Sequence, residues 1–217
     1  MMLRAIVKIQ WMAMRTLVAA LALTAFALPI VSIRTGWSGA VANLPLFLTE
    51  LELWGFFYPA LAAVAAIILA AGTWMSDRRG QHVYAMLLPV PRWRYVLLRY
   101  AAGLVMLLPV ALALWLGAHV ATLGLDLPPG IRTYPDAIAA KFAITLLLLF
   151  AMCFAFASAS TRTIGIAIRL VGLFLAVHVA VILIAPKVNL LWMAVRALAI
   201  FPGPFAPLGG RWMLLDA

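Results

Sequence analysis

The stretch Ile138-Ala139-Ala140-Lys141-Phe142-Ala143-Ile144-Thr145-Leu146-Leu147-Leu148-Leu149-Phe150-Ala151-Met152-Cys153-Phe154-Ala155-Phe156-Ala157-Ser158-Ala159 carries one charge in twenty-two residues. A helix of about 20 apolar residues spans the hydrocarbon core of a bilayer. A soluble helix of this length would show a polar face, and none is present. Four further stretches read the same way: Thr16–Ile33, Leu53–Met75, Val96–Leu123 and Ile164–Ala185. The breakers between them are clear. Gly36, Gly39, Asn43 and Pro45 interrupt Arg34–Glu52, and Pro128-Pro129-Gly130 marks Gly124–Asp136. Only Ser160–Thr163 joins the last two spans, as in a tight helical hairpin.

Composition agrees with lipid as the solvent. Of 217 residues 67% are apolar and 10% charged, and the mean hydropathy is +1.13. A soluble domain is about half apolar and a quarter charged. The expected fold is therefore all-α: a polytopic transmembrane bundle forming one domain over residues 1–217, with five clear spans. The tail, residues 188–217, fits a short re-entrant or interfacial segment. Its apolar part, Val188–Phe201, is too short to cross, and Phe201-Pro202-Gly203-Pro204-Phe205-Ala206-Pro207 cannot continue a helix. No sixth full span is visible. Basic residues before the first span and the triplet Ala25-Phe26-Ala27 resemble a cleavable signal, but the run is long and further spans follow, so a retained first helix is expected.

The net charge of +10 is distributed between the spans. In that arrangement it speaks of topology and not of nucleic acid. With the N-terminus cytoplasmic, Arg4, Lys8, Arg15, Arg78, Arg79, Arg92, Arg94, Arg99, Arg162 and Arg169 lie inside, ten cations. Arg34, Arg132, Lys141, Lys187, Arg196 and Arg211 lie outside, six cations, when the tail remains there. The cytoplasmic excess predicts an N-in protein of the cell (inner) membrane.

Residues 1–15 predict an interfacial helix. Arg4, Lys8 and Arg15 fall within about 40° of one another at 100° per residue. Leu3, Ile6, Val7, Ile9, Trp11 and Met14 cover much of the remainder, so the basic stripe would face headgroups. A basic N-terminus that only sets topology is the simpler alternative.

Polar groups within the spans have ordinary explanations. Arg99, Arg169 and Lys141 lie a few residues inside and can snorkel to the headgroups. His119 and His178 could ligate a heme only if they met at one depth. Counted from their span starts, their depths differ by roughly 13 Å. Cys153 has no second cysteine to pair with and reads as an inert thiol. The small-residue rows Ala62, Ala66, Ala70 and Ala151, Ala155, Ala159 predict flat faces for close helix packing, within the protein or between subunits.

The chain shows no Gly-x-x-x-x-Gly-Lys-Ser/Thr loop, no His-Glu-x-x-His, no Gly-x-Ser-x-Gly and no paired intramembrane aspartates. No catalytic residues and no cofactor are expected. Six acids near loops and ends give little material for a proton relay.

The informative loop, residues 76–95, reads Ser76-Asp77-Arg78-Arg79-Gly80-Gln81-His82-Val83-Tyr84-Ala85-Met86-Leu87-Leu88-Pro89-Val90-Pro91-Arg92-Trp93-Arg94-Tyr95. Charge and glycine end the second span. Gln81–Leu88 can form a short helix that Pro89 stops, and Pro91 suits the start of the next helix. By composition alone, a basic loop that anchors two spans is the simpler reading.

The order of a polar or acidic residue, a short helix and then Leu-Leu-Pro-Val-Pro-Arg entering the third span resembles the permeases of type-2 ATP-binding cassette (ABC) transporters. The layout of most of the chain is similar to that family, and the sharp motif is Met86–Arg92. The resemblance implies a transmembrane export subunit working with a separate nucleotide-binding ATPase and a second permease subunit. It implies a coupling helix at Gln81, His82, Val83, Tyr84, Ala85, Met86, Leu87 and Leu88 seated in a groove of the ATPase, with Pro89, Pro91 and Arg92 fixing its exit. Two departures stand out. Asp77-Arg78-Arg79-Gly80 replaces an acidic pair and Gly-Thr, and the family's sixth span is not seen. The alternative functions are a non-transport subunit of a membrane complex, or a heme-binding protein using His119 and His178.

Overall fold

A computed structural model of the chain describes residues 2–40, 44–79, 91–123, 125, 131–159, 161–184, 189–199, 203 and 205–216. Its helices are α1 (Met2–Ala40), α2 (Leu44–Trp54), α3 (Phe57–Arg79), α4 (Arg92–Thr122), α5 (Pro135–Ser158), α6 (Thr161–Ile184) and α7 (Leu190–Ala199). Among the described residues, five helical stretches are long and apolar enough to cross a membrane. They are Leu3–Thr35, Thr49–Trp74, Trp93–Thr122, Pro135–Ser158 and Gly165–Ile184. The chain is thus an all-α, multi-pass membrane protein, and the five expected spans fall where the apolar runs placed them.

The chain divides into two compact units: Met1–Phe154 with Arg211–Ala217, and Ala155–Gly210. In the first, α1 and α4 form the principal helix pair. The buried residues of α1 recur at Gln10, Met14, Val18, Leu21, Ala25 and Ile33. Those of α4 recur at Tyr95, Arg99, Ala102, Met106, Val110, Leu114, Ala118 and Ala121. Steps of three and four keep each set on one stripe. Gly117 lets the two backbones approach directly, because a Cβ there would collide with the carbonyl of Phe26. α3 packs beside them through Ala62, Ala66 and Ala70, all fully buried, so the first expected alanine row is a packing face. The second is not. Ala155 is exposed, and Phe150 and Phe154 bury themselves in its place.

The interfacial helix expected over residues 1–15 is not a separate element. α1 runs without a break through Arg15 and Thr16 for 39 residues. At 1.5 Å per residue this is about 58 Å, nearly twice a hydrocarbon core of about 30 Å. The reason is local. No glycine or proline stands at the junction, and the buried stripe Gln10, Met14, Val18 crosses it. Arg4, Lys8, Trp11 and Arg15 are all exposed on that continuous helix.

In the second unit, the Asn189 side-chain oxygen accepts the Trp192 amide at 2.8 Å and starts α7. Gly203 lies so close to the Ala197 and Leu198 carbonyls that no Cβ would fit. After the 3-10 turn Ala206–Leu208, the chain rejoins the first unit. There Leu215–Asp216 (β2) pairs antiparallel with Arg132–Thr133 (β1), and Tyr134 donates its amide to Leu214 at 2.9 Å. Trp212, Leu214 and Leu215 are buried. The end of the tail therefore folds onto the same end of the helical unit as the residues before α5.

Candidate functional site

Two polar clusters stand out in the first unit, one at each end of its helices. The first joins α3 to α4. Tyr95 and Arg99 are four residues apart and so share a face of α4. Arg99 donates from Nε and Nη2 to the Tyr95 hydroxyl at 3.0 and 2.7 Å, and from Nη1 to the Thr73 carbonyl on α3. Its guanidinium lies 5.9 Å from the Trp74 ring centre. Trp74 meets Phe154 at 5.5 Å, and Phe154 meets Tyr100 at 5.2 Å. Arg99 is only 7% exposed.

That overturns the expected snorkelling of Arg99. A planar fork with five donors finds two acceptors on two helices, and aromatic rings close over it. Arg169 is exposed on α6.

The clamp lies close to the segment that the sequence singles out. Thr73 precedes the end of α3 at Arg79 by six residues, about 9 Å, and Arg99 follows the start of α4 by seven, about 10 Å. Pro91 is the N-cap of α4, and its carbonyl accepts the amides of Arg94 and Tyr95 at 3.0 and 3.2 Å. Arg92 is the first helical residue. Gln81, His82, Val83, Tyr84, Ala85, Met86, Leu87, Leu88 and Pro89 lie outside the described residues.

The second cluster is at the opposite end. Trp115 Nε1 donates to Asp136 Oδ1 at 2.9 Å, and His119 Nε2 lies 3.5 Å from the same oxygen. His119 Nδ1 is 3.0 Å from the Trp115 carbonyl. Pro135 and Asp136 open α5, where a missing N–H costs nothing and a carboxylate complements the helix dipole. Nearby, Trp212 stacks on Tyr58 with ring centres 6.3 Å apart. The Lys141 ammonium lies 4.6 Å from the Trp212 ring centre and donates to the Arg211 carbonyl at 2.9 Å. The expected snorkelling of Lys141 is thereby corrected, since the returning tail supplies its acceptor. Arg211 faces Glu52 at 3.8 Å, an exposed contact worth little.

Of the two histidines considered for heme, His119 thus turns its nitrogens to Trp115 and Asp136. His178 lies on α6 in the other unit, its Nδ1 buried without a hydrogen-bond partner among the described residues. Also among the described residues, no three His, Cys, Asp or Glu side chains come together as a metal site would require. Cys153 is a half-buried free thiol.

The sequence reading missed both clusters as units. The i, i+4 pairs Tyr95–Arg99 and Trp115–His119 were the available signal. Their partners Thr73 and Asp136 come from other helices. Comparison with family models, with curated proteins and with solved structures finds no match.

Proposed function

We propose that this chain is the transmembrane permease subunit of an ABC exporter of the inner membrane. Its N-terminus is cytoplasmic, and a separate ATPase drives it through Gln81–Arg92. The observation that carries the reading is the Arg99 clamp. It ties together α3 and α4, the two helices that flank this segment, within about 10 Å of its ends. A push on the segment would therefore move both helices as one body, whereas a passive loop needs no such tie. The absence of a phosphate-binding Gly-rich loop fits a motor on another chain. Ten inward cations against six outward fit the orientation. Two permease subunits would enclose the pathway.

Purification of the native protein from gently solubilised membranes should co-recover a nucleotide-binding subunit. Alanine at Tyr84–Leu88 should lower transport per ATP hydrolysed by about tenfold or more, the scale of a coupling free energy of 1–3 kcal/mol. A chain recovered alone and functionally normal rejects the proposal.

A further inference from the structure

α4 and α5 touch at two places. At one Phe150 packs on Gly103, and at the other Trp115 bonds to Asp136. Between these contacts runs a groove of about 300 Å³, lined entirely by alkyl side chains, among them Leu104, Leu108 and Ala111 of α4 and Ala143 and Leu147 of α5. Leu104, Leu108, Ala111 and Trp115 follow steps of 4, 3 and 4. Asp136, Ala140, Ala143 and Leu147 do the same, so the groove and the Trp115–Asp136 pair share one face on each helix. The groove extends about 10 Å from Leu104 to Ala111, and Trp115 lies about 6 Å further along.

The polar end has a definite chemistry. Asp136 is 80% exposed, so its carboxylate is accessible beyond the indole that holds it. When the His119 Nδ1–H is given to the Trp115 carbonyl, Nε2 of the neutral ring is an acceptor facing Asp136 Oδ1 at 3.5 Å. Both atoms are open to the outside, so one donor from a bound group can reach the two together. Lys141 cannot supply it, being turned to Arg211 and Trp212. Indole and imidazole beside a carboxylate also favour a cation.

From this arrangement we infer a lipid site: the α4–α5 groove takes one acyl chain of a bilayer phospholipid whose headgroup ends in a primary ammonium, and that ammonium binds at Asp136, Trp115 and His119. An alkyl-walled groove on membrane-crossing helices meets acyl chains as its solvent. The carboxylate then selects the headgroup. The inference needs only that the helices lie in a membrane and does not rest on the ATPase-driven reading.

The test uses the full chain, stripped of loosely held lipid and equilibrated with equal amounts of phosphatidylethanolamine and phosphatidylglycerol of identical acyl composition. Retained lipid is counted by native mass spectrometry. The unaltered chain should enrich phosphatidylethanolamine by about fivefold, the upper range for one exposed ion pair. Asp136→Asn keeps an oxygen for Trp115 but removes the charge, so the enrichment should vanish while total retained lipid is unchanged. Ala143→Phe fills the groove and should lower retention of both lipids. Ala111→Phe makes the same test from the other wall should Ala143→Phe fail to fold. Equal retention of the two lipids by the unaltered chain overturns the inference. So does an enrichment that survives Asp136→Asn, or retention indifferent to a filled groove.

Discussion

Gly117→Leu is expected to separate α1 from α4 and to leave no monodisperse folded protein after solubilisation. A Cβ at Gly117 falls within 2.9 Å of Phe26 Cα and closer still to its carbonyl oxygen. What stands in the way is backbone, and no rotamer can relieve it. Even Gly117→Ala must push the helices apart, a strain of about 1–3 kcal/mol. For a chain of this size that is roughly a 2–12 °C fall in apparent melting temperature. Gly72→Ala offers the contrast. There the obstacle is the flexible end of the Met14 side chain, which can turn aside. Thermal unfolding in one detergent should rank Gly117→Leu below Gly117→Ala, and Gly117→Ala below Gly72→Ala. Equal effects for the two alanine variants would show that α1 and α4 do not meet backbone to backbone.

The second large effect is expected at Arg99. Arg99→Ala removes the α3–α4 clamp, leaves the Tyr95 hydroxyl without its two guanidinium donors, and opens a cavity beneath Trp74. The combined cost is about 2–4 kcal/mol. Arg99→Lys keeps the charge but cannot donate to Tyr95 and Thr73 in a planar fork, so it should recover only part of the loss. Tyr95→Phe removes one acceptor and should cost about 1–2 kcal/mol. Because the two side chains act as a unit, the double variant should be less destabilised than the sum, with a coupling of about 1–3 kcal/mol. Were Arg99 directed to the headgroups, Arg99→Ala would cost little and the two substitutions would add.

These effects show where the sequence was informative. The five spans were legible because apolar length is a property of each segment by itself, needing no partner. The end of α7 before Pro202-Gly203-Pro204 was legible for the same reason. Three features were not. Arg99 and Arg169 look alike in sequence, each a few residues inside a span, yet only Arg99 meets a tyrosine one turn away and a carbonyl on another helix. The return of the tail depends on pairing Arg132–Thr133 with Leu215–Asp216, two residues against two, which is too short for any alternating pattern. The continuity of α1 was hidden because the change from a basic to an apolar sequence at Arg15–Thr16 brings no helix breaker with it. In the candidate sites, each local pair could be read off a helical wheel, but its third member could not.

Under the proposed function, Met86 and its neighbours would form a lever at the inner membrane surface, seated against an ATPase that another chain supplies. A photo-crosslinking amino acid at Met86, activated in native membranes, tests this directly. One dominant adduct is expected, with a nucleotide-binding subunit, shifted in yield by ATP. In a Cys153→Ser background, a Met86→Cys variant modified by an impermeant maleimide on intact cells would place the segment on the outer side and contradict the account. A probe at Met86 that joins to no protein would do the same.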